Sequence, residues 1–238
     1  MQISQQIGHS SIQEKLSLRI ATKPESQMVK SGSSFELSCE AIGTPPPVFT
    51  WLLNGKPIVG GQDNNLLEKL HNVGKTTVET SITRTTIKIP CAEKKHRGKY
   101  TCVVTNGFIT EKADARIVVA GGQSKCSKEG QPPQIVQYTE SRFEREGNTV
   151  QLFCRTIGAK SIAWYGPERE FLNHAPGYEV LENGDLLIRS ASWKHLGVFT
   201  CVATNEFGEA RAEAFFYPPA DFDEETSAGD DGDLSFSL

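Results

Sequence analysis

The chain has 238 residues, enough for one or two domains, each able to bury a workable core. Its formal net charge of −4 argues against a nucleic-acid binder, and no apolar run approaches the ~20 residues of a membrane span. Six cysteines without a C-x-x-C pair argue against a zinc ribbon or a thioredoxin-type site. An even number of cysteines at wide spacing points instead to three disulfides and an oxidising compartment.

In chain order, the opening "MQISQQIGHSSIQEKLSL" holds no apolar stretch like a signal peptide, so a secreted form would be a mature chain whose leader has been removed. Phe35, Leu37 and Cys39 alternate with polar residues, the period of a strand with one buried face. "TPPP" and "NGK" are turn signals on either side of Trp51. "TTIKIPC" reads as a further strand running into Cys91. "EKKHRGK" (Glu93 to Lys99) is a basic run, better read as a solvated turn than as a site for an anionic partner such as heparan sulfate. Tyr100, Cys102 and Val104 alternate again before an "NG" turn at Asn106. "GGQSKCSKEGQPP", around Cys126, has the composition of a linker. The pattern then repeats with Val150, Leu152 and Cys154, then Trp164, an "ENGD" turn, Leu186 and Ile188, and finally Phe199, Cys201 and Ala203. No segment of useful length has the helical period. After Arg211 there is no basic residue, and the end of the chain carries seven acids (Asp221, Asp223, Glu224, Glu225, Asp230, Asp231 and Asp233). Removing those seven from a net charge of −4 leaves the body at +3, and a tail of this composition is expected to be disordered. There is no N-x-S/T sequon.

The repeat is plainest in "HRGKYTC" (His96 to Cys102) and "HLGVFTC" (His195 to Cys201). With Cys, Trp and Cys in order twice, and an L-x-I pattern before G-x-Y/F-x-C-x-x-x-N, the sequence resembles the intermediate set of the immunoglobulin superfamily. That resemblance implies an all-β protein of two tandem immunoglobulin β-sandwiches. An N-terminal extension (1–17) precedes domain 1 (18–120), a linker (121–133), domain 2 (134–218) and the acidic tail (219–238). It also implies inter-sheet disulfides Cys39–Cys102 and Cys154–Cys201, with Trp51 and Trp164 packed on them. The first closes a loop of about 60 residues and contributes on the order of 4 kcal/mol in the chain-entropy model. In such a sandwich Cys91 and Cys126 both lie at the end that faces the next domain. A Cys91–Cys126 bridge is then geometrically sensible, the alternative being two free thiols. The bridge would tether half the linker and restrict the angle between domains.

A narrower resemblance is carried by "IVQYTESRFEREGNTVQLFCR" and "LENGDLLIRSASWKHLGVFTCVATNEFGEARAEAFFYP". These resemble the secreted two-immunoglobulin-domain family of invertebrates, which includes the nematode zwei-Ig proteins and the insect imaginal-morphogenesis late protein, or neural/ectodermal development factor. Domain 1 matches only at the immunoglobulin framework. Insect members sequester insulin-like peptides. Nematode members maintain axon and cell-body position, and some are linked to insulin signalling. The resemblance therefore implies an extracellular, non-enzymatic binding protein whose partner is an insulin-like peptide, or else neuronal cell-surface or matrix proteins. No catalytic or nucleotide-binding motif is present, and no cofactor or metal is expected. Capturing a small helical peptide takes about 1,200–2,000 Å² of total buried surface around a few aromatic anchors. Candidate anchors are Phe108 and Ile109 beyond the "NG" turn, Tyr138 on the first strand of domain 2, and Phe207 in its last hairpin. A continuous apolar groove across both domains would favour a peptide ligand, whereas polar faces with one flat sheet would favour adhesion.

In most immunoglobulin domains an aspartate, paired with a basic residue, stands where this chain has His96 and His195. "HAPGYEVLENGD" offers no base but does offer Glu179, so an inverted His195–Glu179 pair is expected, with Glu68 as a weaker partner for His96. Such pairing would raise the histidine pKa values and open a pH-sensing role. Phe199 lacks the hydroxyl of the tyrosine corner that Tyr100 keeps, at a cost on the order of 1 kcal/mol to domain 2.

Overall fold

The computed structural model describes residues 16–60, 65–122, 126 and 130–219. Residues 1–15 of the extension and the acidic tail from residue 220 lie outside the described residues. Eight strands form the first sandwich: β1 (Ser17–Thr22), β2 (Gln27–Lys30), β3 (Phe35–Thr44), β4 (Val48–Leu53), β5 (Lys56–Gly60), β6 (Thr80–Ile89), β7 (Gly98–Thr105) and β8 (Thr110–Ala120). A short helix, α1 (Leu66–His71), lies between β5 and β6. The second sandwich holds β9 (Gln134–Phe143), β10 (Val150–Leu152), β11 (Cys154–Ile157), β12 (Ser161–Tyr165), β13 (Tyr178–Val180), β14 (Leu186–Ile188), β15 (Gly197–Asn205) and β16 (Gly208–Tyr217). The protein is thus two immunoglobulin sandwiches built almost entirely of strands.

Alternation places the cores. In β3, Phe35, Leu37, Cys39 and Ala41 point inward while Glu36 and its fellows point out. Trp51 lies opposite Cys102 across the β4–β7 pair, and Trp164 lies opposite Cys201 across β12–β15. Both tryptophans are fully buried in the clusters that hold the Cys39–Cys102 and Cys154–Cys201 disulfides. The β4–β5 hairpin turns on Asn54 and Gly55, both with φ > 0, the backbone that a two-residue type I′ turn demands. Cys91 is bonded to Cys126.

The two sandwiches are joined by more than the expected tether at Cys126. In the first sandwich the sheet β2-β8-β7-β4-β5 faces β1-β3-β6, and in the second β10-β14-β13 faces the sheet of β9, β16, β15 and β12. Strand β6 pairs antiparallel with β9, from Thr80↔Phe143 to Thr85↔Gln137. The order β1-β3-β6-β9-β16-β15-β12, with β11 also on β9, is therefore one sheet running through both domains. Comparing the two copies gives the reason. In the second sandwich β13 covers the edge of β14. In the first, the corresponding interval forms α1, which leaves the edge of β6 open, and β9 of the second sandwich fills it. An open edge is a row of unpaired N–H and C=O groups, so this pairing satisfies groups that would otherwise be exposed. The seam between the domains fixes how they meet.

Polar side chains lock the seam. Arg142, on β9, is fully buried and pairs with Glu68 of α1 and with Glu144 (3.1 Å). Glu68 also accepts hydrogen bonds from the Gln151 backbone N–H (2.7 Å) and the Asn65 amide (2.9 Å). Burial pushes the Glu68 carboxyl up, and the Arg142 guanidinium opposes that shift. Glu144 accepts from the backbone N–H groups of Val78 and Glu79, each at 2.9 Å. Asn72 and Thr149 exchange two hydrogen bonds of 2.8 Å. Trp51 donates to Thr85 (3.0 Å), whose hydroxyl donates to the Val136 carbonyl of the other domain (2.6 Å).

The expected histidine–carboxylate pairs do not form. Glu179 is bound to Arg189 at 2.5 Å, and Glu68 is committed to Arg142. Each histidine instead ends a 3-10 turn, Lys94–His96 or Trp193–His195, and its Nδ1 accepts a backbone N–H from the start of that turn: Glu93 at 2.9 Å and Ser192 at 2.8 Å. Burial lowers the pKa of both rings, with Lys95 and Lys194 adding to it, which is opposite to the expected direction. The histidine supplies the cap acceptor that a carboxylate could supply, without a charge.

Candidate functional site

The sheet shared by the two domains presents one broad outer face. Residues in register across it share that face because side chains alternate along each strand. One lateral row runs Val198, Phe215, Ser141, Ile82, Ile42 and Arg19, crossing β15, β16, β9, β6, β3 and β1. Val198 and Phe215 are exposed, and Ile82 and Ile42 are half-buried. The row passes over the seam from one domain to the other, with apolar residues on either side of Ser141.

Next to the row, at the centre of the face, Arg84 of β6 bridges two carboxylates. Its Nη2 meets Glu40 of β3 at 2.5 Å and its Nε meets Glu140 of β9 at 2.7 Å. Glu140 sits at the bulge between Ile82 and Thr83, where β9 has one residue more than β6. Burial, a hydrogen bond to Glu40 and the charge of Glu40 push Glu140 up to about 7, whereas the hydrogen bond from Glu140 holds Glu40 below the usual carboxylate range. Tyr138, opposite Arg84, is pushed up by burial and by the Glu140 charge.

Tyr138 divides two hollows. One, of about 520 Å³, lies between β9 and β16 beside Glu140, Phe215 and Val198. The other, of about 660 Å³, runs past Lys88, Thr86 and Ile135 toward Pro132. A third cleft of about 680 Å³ opens on the back of the seam, between β5 and the 180–184 turn. Its principal charged group, Arg155, is bound by Asp185 (3.1 Å) and lies over the Phe153 ring at 4.4 Å.

Of the four expected anchors, Tyr138 falls at the centre of this face. Phe108 and Ile109 form the tip of the β7–β8 hairpin, with Phe108 66% exposed. That tip is fixed at one end of the molecule by Asn106, which donates to the carbonyls of Ser17 and Thr44. Phe207, 51% exposed, caps the β15–β16 hairpin at the other end, where Asn205 donates to Gln131 and the Phe207 ring closes over Gly130. The antiparallel seam separates the two tips by about the length of β9, roughly 30 Å for ten residues. They do not converge on one site. Ile42, Ile82, Arg84, Val198 and Phe215 were not singled out in the sequence. The adjacent aromatics Phe215 and Phe216 held a signal, since neighbours in a strand point to opposite faces. Among the described residues no group of three His, Cys, Asp or Glu side chains could hold a metal ion, and no helix is long and apolar enough to cross a membrane.

The immunoglobulin-domain family matches residues 19–106 and 132–205. The chain is 37% identical over 204 residues to zwei Ig domain protein zig-4 of Caenorhabditis elegans, covering 85% of this chain and 80% of that protein. It is also 37% identical to zig-3 of the same organism over 214 residues, covering 90% and 85%. Among solved structures, that of neural ectodermal development factor IMP-L2 superimposes with a TM-score of 0.68 at 23% identity, covering 86% of this chain and 95% of that one.

Proposed function

The chain belongs to the zwei-Ig family of immunoglobulin-domain proteins, and on that premise we propose that it is a secreted, non-enzymatic binding protein that sequesters an insulin-like peptide on the outer face of its shared sheet. One observation carries the reading: the row from Val198 to Ile42 continues in register over the seam, with apolar residues on either side of Ser141, so both domains contribute to one surface. Seven strands at about 4.8 Å spacing, the longest of them some 30 Å, offer a face of roughly 1,000 Å², enough for what one partner buries in a standard interface, about 800 Å². Tyr138 supplies an aromatic anchor at the centre, and Phe215 a second. Three disulfides suit an oxidising, extracellular setting.

A binding screen of the purified protein against a panel of insulin-like peptides tests this. Micromolar or tighter binding, weakened by Phe215→Ser and Tyr138→Ser, is the expected result. No binding to any peptide at micromolar concentration overturns it. A second reading, a factor that maintains axon and cell-body position through neuronal surface or matrix proteins, is favoured by the identity to the nematode relatives. The same screen, extended to neuronal surface ectodomains, separates the two.

A further inference from the structure

The hollow between β9 and β16 has a composition unlike the rest of the face. Its walls are apolar: Val198, Phe215, Ala212 and the ring of Tyr138. Two carboxylates, Glu140 and Glu213, open into it. Arg211 also lines the hollow, its guanidinium held by Glu209 at 2.9 Å in an exposed pair, and Arg84 beside it is shared between Glu40 and Glu140. Among the described residues Glu213 takes part in no ion pair. Two carboxylates thus face one guanidinium on one side, and a further carboxylate stands open on the other.

We propose that this hollow is a subsite for one basic side chain, a lysine or an arginine, of a polypeptide bound on the face. The proposal rests on reading the face as a binding surface and names the chemistry its partner must present. A long basic side chain fits both halves of the site. Its methylene stem lies along Val198 and Phe215, and its cation lies between Glu140 and Glu213. The rings of Tyr138 and Phe215 add cation–π attraction. An apolar side chain would bury carboxylates without a partner, and an anion would be repelled by them. Beyond Phe215 the row passes Ser141 and resumes at Ile82 and Ile42, so the expected ligand pattern is a basic residue with apolar ones nearby.

The charge state of the site is coupled to occupancy. The groups facing Glu140 are Glu40 from β3, itself bonded by Thr22 of β1, Arg84 from β6, Tyr138 on its own strand, and Arg211 and Glu213 from β16. Glu140 is held up by burial and by Glu40, so it retains a proton to about pH 7 in the empty face. A cation in the hollow favours the carboxylate, and its binding expels that proton.

The test uses the full chain, isotopically labelled for NMR, and N-acetyl-arginine amide as probe, with N-acetyl-norleucine amide as the uncharged control. Millimolar binding of the arginine probe is expected to shift the resonances of Tyr138, Val198 and Phe215, more strongly at pH 8 than at pH 6. Glu213→Gln, an exposed change, and Glu140→Gln are each expected to weaken it about fivefold. Equal shifts from the norleucine control, or full binding to the double variant, overturn the proposal. If the probe binds but no insulin-like peptide does, the subsite stands and the peptide reading falls. If a peptide binds with an affinity indifferent to Glu140→Gln and to loss of its own basic residues, the subsite falls and the peptide reading stands.

Discussion

His96 and His195 show how local backbone chemistry overrides charge pairing at the scale of one residue. Each ring accepts a backbone N–H through Nδ1, which requires the neutral ring. Both should titrate below the ordinary value of 6.5, and NMR titration of the ring protons checks this. The sign follows: a histidine with a depressed folded pKa contributes stability above pH 6.5 that is lost as pH falls through the folded value. Glu140 works in the opposite sense. Its folded pKa, about 7, lies above the ordinary 4.5, so its contribution is complete below pH 4.5 and lost as pH rises through 7. Glu140→Gln should flatten the pH dependence of thermal stability across that window, leaving the Glu40 effect at lower pH. Tyr100 donates to the His96 carbonyl at 2.8 Å, while Phe199 has no hydroxyl to offer. Phe199→Tyr should therefore raise stability by about 1 kcal/mol in chemical denaturation. The missing hydroxyl could be read in the sequence. The histidines' partners could not, because the competing acceptors and donors were main-chain groups that carry no sequence signature.

At the scale of elements, α1 and β9 exchange places around the edge of β6. Strand alternation in "FELSCEA" and "VQLFC" revealed the strands and their inward faces, and the cysteines and tryptophans revealed how sheets stack. The alternation is silent on which strand lies beside β6, because that choice is made by backbone hydrogen bonds common to all sequences. The side chains that decide it are Glu68, Arg142 and Glu144; in the sequence Arg142 and Glu144 are isolated charges, and Glu68 reads only as a partner for His96. Their burial makes the pairing sharp. Arg142→Leu would leave Glu68 and Glu144 buried without their cation, and should destabilise the protein by about 3–5 kcal/mol. Urea denaturation measures the loss.

At the scale of the whole molecule, the shared sheet makes the two sandwiches one structural body. Unfolding should follow a single transition with coincident tryptophan fluorescence and circular dichroism, since Trp51 reports on the first sandwich and Trp164 on the second. Two separated transitions would contradict a seam that couples the cores through Thr85 and Val136. The candidate face shared the fate of the seam in the sequence. Tyr138 was legible as a strand aromatic, but a row assembled from six strands exists only once the strand order is known.

The strand that β9 lends to β6 also bears on descent. Immunoglobulin domains are ordinarily interchangeable beads that recombination can shuffle, duplicate or delete one at a time. Here the first sandwich lacks a strand of its own at that edge, and the second carries it. A rearrangement that separated them would strip the first of its border and uncover one side of β9 in the second. The pair can only be inherited, lost or transplanted together, and its length of about two domains is the smallest cassette in which the protein can travel.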